Sequence, residues 1–507
     1  MGLLDSAENH LVSSDDPDTL ADDLRIRLLN AQFDLRTADF PVLLLLTGDD
    51  RPGMEYVLGE IGSWLDARYL KLESFAPATE EERERPRFWR YWRALPEAGQ
   101  IGVMVGGWAG GTCTGRMTGD VSRRNFLRAI EQDNAFESSQ STEGALVLKF
   151  WFHLDKKAHR KRLRAAKKSP RKLWYVDERD EHIYENYDKV VETGEEYREK
   201  TNTIDAPWHV IDGADQALAS LQFARITLEA IEARLTENGQ RTPSSREATH
   251  RNVEGNTSTA TTSAITSASP DVLAAVDLSA SLEKSDYDEA LTTASSRLKG
   301  LADDATEARV TAVLVFEGWD AAGKGGVIRR LTRPLDIRNT RVVPIAAPSA
   351  DELAHHYLRR FWRHLPRAGS TLIFDRSWYG RVLVERVEGL ASPDEWGRAY
   401  QEIREFEVQL VEHGYVLLKF WLHLDPAEQL RRFQAREQTP YKKYKITEED
   451  YRNRDRWDEY VTAVNDMVHY TDSQEAPWHL ISSQDKRWAR VRVIEAICDA
   501  LQQRLKK

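Results

Sequence analysis

The chain repeats itself at a constant spacing of 270 residues. Three pairs of segments carry the repeat: LVLKFWFHLD at 146–155 and VLLKFWLHLD at 416–425, APWHVI at 206–211 and APWHLI at 476–481, and YWRALPEAG at 91–99 and FWRHLPRAG at 361–369. Because all three pairs keep the same offset, the chain is a tandem duplication with almost no change of length between the copies. Whatever fold one copy adopts, we expect the other to adopt as well.

A segment rich in Ser, Thr and Asn separates the two copies. Residues 236–270 contain almost no large apolar side chains. Such a segment buries too little surface to offset the entropy lost on ordering, so we predict a flexible linker there. This places the first domain at residues 1–235 and the second at 271–507.

Short apolar runs alternate with helical patterns in each copy, which is typical of an α/β fold. In the second copy the predicted strands are 310–316, 341–345, 371–374, 415–422 and 478–482, and two of the predicted helices are 351–365 and 394–413. Alternating strands and helices imply a parallel sheet with helices on both faces. In such a sheet, ligands bind at the carboxyl ends of the strands.

The first strand of the second copy runs directly into a glycine-rich loop, EGWDAAGKGG at 317–326. The spacing Gly318-x4-Gly323-Lys324 after a buried strand predicts a P-loop, whose backbone amides and lysine hold phosphate oxygens. The predicted phosphate-binding residues of this loop are Gly318, Ala322, Gly323, Lys324, Gly325 and Gly326. An ordinary glycine-rich turn with a surface lysine is the alternative interpretation.

One position departs from the P-loop pattern. Gly325 replaces the Ser or Thr whose hydroxyl normally helps to bind Mg²⁺. Another oxygen has to take that place, and Asp320 inside the loop is the candidate that the sequence offers.

A second chemical element follows the third strand, in TLIFDRSWYGR at 371–381. Asp375 ends an apolar strand and resembles a Walker B acid, which is placed to bind Mg²⁺ directly or through water. Arg376 and Arg381 follow it, and an arginine can fork onto phosphate oxygens. The alternative is an ordinary strand end followed by an aromatic turn.

The segment 431–460, called the lid segment below, is strongly charged and contains Thr439-Pro440 as a helix breaker. A basic helical hairpin resembles the lid of a nucleotide kinase, which closes over phosphates and excludes water. The cations that we expect to face an anionic substrate are Arg436, Lys442, Lys443 and Lys445. The acidic residues between them leave open a second interpretation, a solvated helix face laced with ion pairs.

The first copy lacks the chemical residues at the same offset. Three sites are changed: Met54 stands for Lys324, Val105 and Gly106 stand for Asp375 and Arg376, and Gly111 stands for Arg381. The loop lysine, the predicted metal-binding aspartate and the arginines are lost together, whereas the packing residues around them persist. We infer that the first domain is a degenerate, non-catalytic copy of the fold.

Bulk properties exclude several classes of function. A net charge of −11 argues against a protein that coats nucleic acid or an acidic membrane. Two cysteines, Cys113 and Cys498, exclude a disulfide framework and fit a reducing compartment. With no apolar run of membrane-spanning length and no signal-peptide pattern, we expect a cytoplasmic protein.

At this point a family resemblance can be stated. The motifs FEGWDAAGKGGVIRRL at 316–331 and FDRSWYGR at 374–381, with the lid sequence at 438–460, resemble those of the polyphosphate kinase type-2 family. The tandem form with an inactive first copy is similar to the subgroup that phosphorylates AMP to ADP. The resemblance covers essentially the whole chain. It implies a P-loop kinase-like fold with a helical lid, present twice.

The resemblance also implies substrates, a cofactor and residue roles. Inorganic polyphosphate and an adenine nucleotide would be the partners and Mg²⁺ the cofactor, and family members often form homo-oligomers. Asp320 and Asp375 would bind the metal. The remaining implied roles are contacts with phosphates by Lys324, Arg376 and Arg436, and with the polyphosphate chain by Lys442 and Lys445.

Three alternatives remain open on the sequence alone. The acceptor could be ADP or another nucleoside diphosphate. The donor could be ATP, as in an ordinary nucleoside-monophosphate kinase, which shares the loop, the acid and the lid. The chain could also be a sensor that binds nucleotide or polyphosphate without turnover, although the pairing of Lys324 with Asp375 argues against this.

Overall fold

The architecture described here is that of a computed structural model, which describes residues 17–168, 176, 178–240, 269–438 and 448–506. Its strands are β1 Val42–Gly48, β2 Leu70–Ser74, β3 Ile101–Val105, β4 Leu146–His153, β5 Trp208–Asp212, β6 Ala312–Gly318, β7 Thr340–Pro344, β8 Thr371–Asp375, β9 Val416–His423 and β10 Trp478–Ser482.

The α-helices up to the end of the first copy are Pro17–Leu35, Arg51–Trp64, Glu80–Arg83, Trp89–Ala94, Gly107–Thr118, Arg123–Thr142, Lys156–Lys168, Glu178–Glu185, Tyr187–Thr201 and Gln216–Gln240. Those of the second copy are Lys284–Glu307, Lys324–Thr332, Ala350–Leu353, Arg359–Trp362, Val384–Val387, Pro393–Glu412, Pro426–Glu437, Glu448–Asp455, Trp457–Thr471 and Lys486–Leu505. Two short 3₁₀ turns are Ala67–Tyr69 and Trp378–Arg381.

The described residues fall into two compact units. The first unit takes its described residues from 17–78, 91–240 and 350–356, and the second from 79–90, 269–349 and 357–506. Helix Gln216–Gln240 runs five residues past 235, the end predicted for the first domain. Residues 241–268 of the predicted linker lie outside the described residues.

Each unit contains one five-stranded sheet, and every strand pair in both sheets is parallel. The strand order is β2-β3-β1-β4-β5 in the first sheet. It is β7-β8-β6-β9-β10 in the second, which is the same order at the offset of the repeat. The α/β prediction is confirmed, and the five predicted strands of the second copy lie within two residues of the observed ones.

The central strand of each sheet is buried along six of its seven residues. Helices cover both faces, so a run of β-branched, Leu and Phe side chains is needed instead of an alternating pattern. In the second unit Phe316 and Phe420 stack on neighbouring strands, with ring centroids 5.1 Å apart. This packing fixes the end of β6, and therefore the place where the glycine-rich loop begins.

Each unit also buries an ion pair between a strand of its sheet and a helix. Lys149 donates to Glu137 at 2.6 Å in the first unit, and Lys419 donates to Glu407 at 2.8 Å in the second. All four side chains are at most 4% exposed. Because the pair occurs at the same offset in both copies, we assign it to the scaffold, where removing one partner would leave a buried charge.

One predicted helix is wrong. The segment 351–365 is not one helix, because Ala350–Leu353 and Arg359–Trp362 are separated by a turn. The first copy contained the signal, since Pro86 stands at the position of His356 and a proline interrupts helical hydrogen bonding. The helix predicted at 394–413 is present as Pro393–Glu412, where Ser392 and Glu395 form a capping box.

Among the helices of the described part, none combines the length and the apolar character that crossing a membrane requires.

Candidate active site

The loop after β6 adopts the strand–loop–helix arrangement that the sequence predicts. Gly318 has a φ of 143°, and a Cβ atom there would lie 2.6 Å from the carbonyl oxygen of Leu422. Gly323 has a φ of 109° and caps helix Lys324–Thr332. Both conformations favour glycine, so the two glycines of the motif are placed where the backbone requires them.

Lys324 is the first residue of the helix that follows this loop. Its Nζ atom donates a hydrogen bond to the carbonyl oxygen of Gly318 at 2.5 Å. Burial lowers the pKa of Lys324, against the opposing influence of Asp320, Asp375 and Glu317. The lysine is therefore positioned at the helix start, on a backbone oxygen that a phosphate oxygen can replace.

Asp320 is the point at which three elements meet. Its carboxylate accepts hydrogen bonds from Arg376 at 3.2 Å and from Asn453 at 3.1 Å. Its backbone carbonyl accepts one from Gln429 at 3.2 Å. The side chain is 16% exposed, so it is oriented by neighbours yet open on one side. Sequence reasoning identified Asp320 and Arg376 but missed Asn453 and Gln429.

Arg376 has a backbone conformation that is unusual for its residue type. Its φ is 65°, in the left-handed region, and its amide donates to the carbonyl oxygen of Phe316 at 3.0 Å. At the same offset in the first unit, Gly106 has a φ of 78°. The fold thus requires this conformation in both units, and only the second unit places a side chain on it. Backbone strain of this kind is retained mainly at functional sites, where the strained residue takes part in binding or catalysis.

Two further carboxylates act on Lys324. Asp375 ends β8 opposite Phe316 of β6, which brings it to the carboxyl edge of the sheet beside the loop. Glu317 is buried, and burial raises its pKa, although it accepts a hydrogen bond from Ser377 at 2.8 Å. Glu317 was missed because it precedes the glycine motif and reads as part of the strand.

A pocket opens beside Lys324, and four of the predicted site residues line it. Its lining consists of Glu317, Gly318, Trp319, Asp320, Lys324, Arg376, Gly380, Leu383, Val384, Trp421, Gln429, Asn453 and Tyr460. Acceptors, cations and aromatic rings therefore surround one cavity at the carboxyl edge of the sheet, where open α/β sheets bind ligands.

The other predicted residues are distributed differently. Arg381 pairs with Glu385 at 3.3 Å, and its guanidinium lies 4.4 Å from the ring centre of Tyr357. Arg436 is half-buried near the end of helix Pro426–Glu437. Lys442, Lys443 and Lys445 lie outside the described residues.

A basic neighbourhood surrounds helix Pro426–Glu437. Lys486 begins the last helix, and burial together with the charge of Arg432 lowers its pKa to about 8. Arg431 and Arg436 contribute to the same effect. Positive charges that repel one another in this way are stabilised when an anion binds among them.

Arg432 is the most informative residue that sequence reasoning missed. It is 3% exposed, and it donates to the loop carbonyls of Ala321 and Ala322 at 3.0 and 3.1 Å. It also donates to the carbonyl of Ser483 at 2.6 Å. The guanidinium thus fixes the curvature of the loop. The signal was available, because Arg162 stands at the same offset in the first copy.

Aromatic rings form one wall of the pocket. Trp319 stacks on Trp457 with ring centroids 3.7 Å apart and planes 12° from parallel. The indole N–H of Trp319 donates to Nδ1 of His423 at 3.0 Å, and burial lowers the pKa of His423 to about 4. The histidine is therefore neutral at neutral pH and acts as a hydrogen-bond acceptor below the loop.

The corresponding loop of the first unit is closed by its own side chains. Its helix begins at Arg51, and Asp50 accepts a hydrogen bond from the amide of Gly53 at 3.0 Å. Asp50 also pairs with Arg162. A carboxylate therefore occupies the helix N-terminus that a phosphate would require.

Strand order, loop and carboxyl-edge pocket define the class of the second unit as a P-loop kinase-like fold. The sequence profile of the Polyphosphate kinase 2 (PPK2) family matches residues 12–239 and 281–507. The chain belongs to this family, and both copies carry its domain.

Relatives match over the full length. A polyphosphate:AMP phosphotransferase from Pseudomonas aeruginosa is 43% identical over 100% of both chains. Another, from Pseudomonas syringae pv. tomato, is 42% identical over 99% of this chain and 98% of its own. A crystal structure described as a polyphosphate kinase 2 from Pseudomonas aeruginosa has a TM-score of 0.86 and 41% identity, and covers 99% of each chain.

Proposed function

We propose that this protein transfers a phosphoryl group from inorganic polyphosphate to AMP, giving ADP. The observation that carries the proposal is the full-length similarity to relatives that bear the name polyphosphate:AMP phosphotransferase. The pocket around Lys324 supports it, since Lys324 and Arg376 offer cations for phosphates there and Asp320 offers a carboxylate for a metal.

In the proposed reaction an oxygen of the AMP phosphate attacks the terminal phosphorus of polyphosphate. A new P–O bond forms, the bridging P–O bond to the rest of the chain breaks, and a chain one phosphate shorter leaves. The attacking oxygen is already anionic at neutral pH, so the protein mainly has to position the reactants and neutralise charge.

Lys324 and Arg376 supply that neutralisation next to the loop. Lys324 exchanges the Gly318 carbonyl for a phosphate oxygen, and Arg376 reaches the same pocket. We further assign Arg381, Arg436, Lys442 and Lys445 to phosphates of the donor chain, the first after release from Glu385. The loop amides of residues 323–326 face the same group at the helix start.

Asp320 and Asp375 are the residues that we expect to hold Mg²⁺. The fit is chemical: both offer carboxylate oxygens, the ligands that Mg²⁺ prefers, and Asp320 remains partly open. When bound, the ion would neutralise charge on the phosphate oxygens. Asn453 and Arg376 hold the Asp320 carboxylate in place for this role.

We assign catalysis to the domain at residues 271–507 and propose that the domain at 1–235 is non-catalytic. Asp50 and Arg162 support this assignment, because they fill the cradle of the first loop.

The test supplies purified protein and Mg²⁺ with either long-chain polyphosphate or ATP as donor. AMP, ADP and their guanine counterparts serve as acceptors. We expect AMP to be consumed with polyphosphate and ADP to appear in equal amount. Consumption of ATP in place of polyphosphate would reveal an ordinary nucleoside-monophosphate kinase, and turnover of ADP but not AMP would reveal a diphosphate kinase. Binding of nucleotide or polyphosphate without turnover would show that the protein is a sensor.

A further inference from the structure

The helix Lys156–Lys168 of the first unit is the most basic element of the described residues in that unit. It reads KKAHRKRLRAAKK, with eight lysine and arginine residues and no acidic residue. Arg162 is engaged with Asp50, and two lysines pair with neighbours, Lys156 with Asp188 at 2.9 Å and Lys167 with Glu181 at 3.0 Å. These three cations are therefore already neutralised by carboxylates.

The other five cations lie along one arc of the helix. We call them the basic stripe: Lys157, Arg160, Lys161, Arg164 and Lys168. All five are exposed. Within the described part of the chain, no carboxylate forms an ion pair with any of them.

Helical geometry aligns the stripe. With 3.6 residues per turn, its five positions fall within about 100° of arc around the helix axis. From Lys157 to Lys168 the stripe extends about 16 Å along the axis. Such a linear row of separate cations matches a linear polyanion better than it matches a single compact phosphate.

Comparison with the second unit shows that this charge is specific to the first. The helix at the same offset, Pro426–Glu437, contains three arginines and two glutamates. The first unit has thus lost the loop lysine, yet it carries eight cations on the equivalent helix. The chain as a whole has a net charge of −11, so its general composition does not explain the stripe.

We propose that the basic stripe is a docking site for inorganic polyphosphate, outside the catalytic pocket. This inference deepens the proposed function and depends on it for the identity of the polyanion. Holding part of a long chain on the first unit raises the local concentration of donor phosphates for the second. The degenerate unit would then serve the reaction through substrate binding.

The test removes four charges with Lys157→Gln, Lys161→Gln, Arg164→Gln and Lys168→Gln in the full-length protein. Glutamine keeps the helix propensity close to that of lysine and arginine, and circular dichroism checks the fold. We expect the ratio of the KM for long-chain polyphosphate to the KM for tripolyphosphate to rise about tenfold or more, because avidity is lost. An unchanged ratio would overturn the proposal.

A binding experiment without nucleotide separates this proposal from the proposed function. Fluorescently labelled long-chain polyphosphate is titrated at several salt concentrations. Each lost phosphate contact should flatten the slope of log K against log salt by about 0.7, so the fourfold variant should lose about 3. If polyphosphate binds through the stripe but AMP is not phosphorylated, the docking site stands and the proposed function fails.

Matched controls test specificity. The pair Lys161→Gln and Arg164→Gln is compared with Lys156→Gln and Lys167→Gln, which removes two cations of the same helix that are already paired with carboxylates. The stripe pair should weaken binding more than the control pair; equal losses would contradict the proposal. Single-stranded DNA and phosphatidylglycerol vesicles are titrated in parallel. If a stripe variant loses binding to DNA or to the vesicles but still binds polyphosphate as before, the surface belongs to another partner and the proposal fails.

Discussion

In each unit a loop follows the central strand of the sheet, and the two loops end at different positions. In the first unit the helix begins at Arg51, whereas in the second it begins at Lys324, which corresponds to position 54. The first unit thus winds into its helix three residues that the second unit keeps in the glycine-rich loop, where we propose that phosphate binds. The proposed phosphate-binding loop of the second unit therefore depends on these three residues remaining outside the helix.

The comparison also separates scaffold from chemistry. The buried pair Lys149–Glu137 and its counterpart Lys419–Glu407 are present in both units. Arg162 and Arg432 also recur, but Arg162 binds a carboxylate and Arg432 binds loop carbonyls. Of the residues that line the pocket of the second unit, Gly318, Asp320, Gly380 and Trp421 recur at the same offset in the first, whereas Lys324, Arg376 and Asn453 do not.

The largest effect is expected at the loop lysine. Lys324→Ala should lower kcat/KM by about 10²-fold to 10³-fold or more, because it removes a preorganised cation from developing charge. Steady-state assays measure the effect, and thermal unfolding checks that the variant is folded. Near-normal turnover in a folded variant would show that the site is misassigned.

Met54→Ala is the matched control, since Met54 holds the equivalent position in the first unit. Met54 is 6% exposed, so some loss of stability is expected. Activity per folded molecule should change little. A collapse of activity in a folded Met54 variant would mean that the first unit is catalytic.

The backbone conformation of Arg376 provides a further test of the comparison between the two units. Arg376→Gly and Arg376→Ala should both lower kcat by about 10²-fold, since both remove the cation that we propose to bind phosphate. The glycine variant should be more stable than the alanine variant by about 1 kcal/mol, because φ is 65° at this position. Chemical denaturation measures the difference, and equal stabilities would show that the backbone is not strained there.

Asn453 corresponds to Ile183 in the first copy, so Asn453→Ile makes the second unit resemble the first. We expect kcat to fall about tenfold, because Asp320 loses a hydrogen bond to its charged group. If Asn453 acts by positioning Asp320, the dependence of activity on Mg²⁺ concentration should shift to higher values. A loss of stability with unchanged metal dependence would contradict this role.

The smallest expected effect concerns His153 and His423, which occupy equivalent positions in the two units. Burial lowers the pKa of His423 to about 4. Burial also acts to lower the pKa of His153, but the hydrogen bond and charge of Asp49 outweigh it, so that pKa is raised. His423 therefore contributes stability above pH 6.5 that is lost as pH falls towards 4. His153 contributes stability at low pH that is lost as pH rises through its raised pKa.

NMR titration of the imidazole resonances, assigned with His153→Gln and His423→Gln, tests this prediction. Protonation of His423 above pH 6, or of His153 only below pH 6, would contradict the opposite environments of the two units.

Sequence reasoning predicted the scaffold well because repetition and apolar runs report burial directly. It also predicted one site from Gly318, Asp320, Lys324 and Arg376, which line one pocket, since their spacing along one loop and one strand end is local. It missed Gln429, Arg432 and Asn453, which reach the loop from more than 100 residues away. It also predicted an unbroken helix at 351–365, because the apolar pattern continues through the turn.

The central claim is that nucleotide phosphate binds in the second unit alone. Isothermal titration of the full-length protein with ADP and Mg²⁺ measures it most directly. We expect one site per chain, which Lys324→Ala weakens severely and Met54→Ala leaves intact. Two sites per chain, or binding that survives Lys324→Ala and is lost in Met54→Ala, would contradict the account.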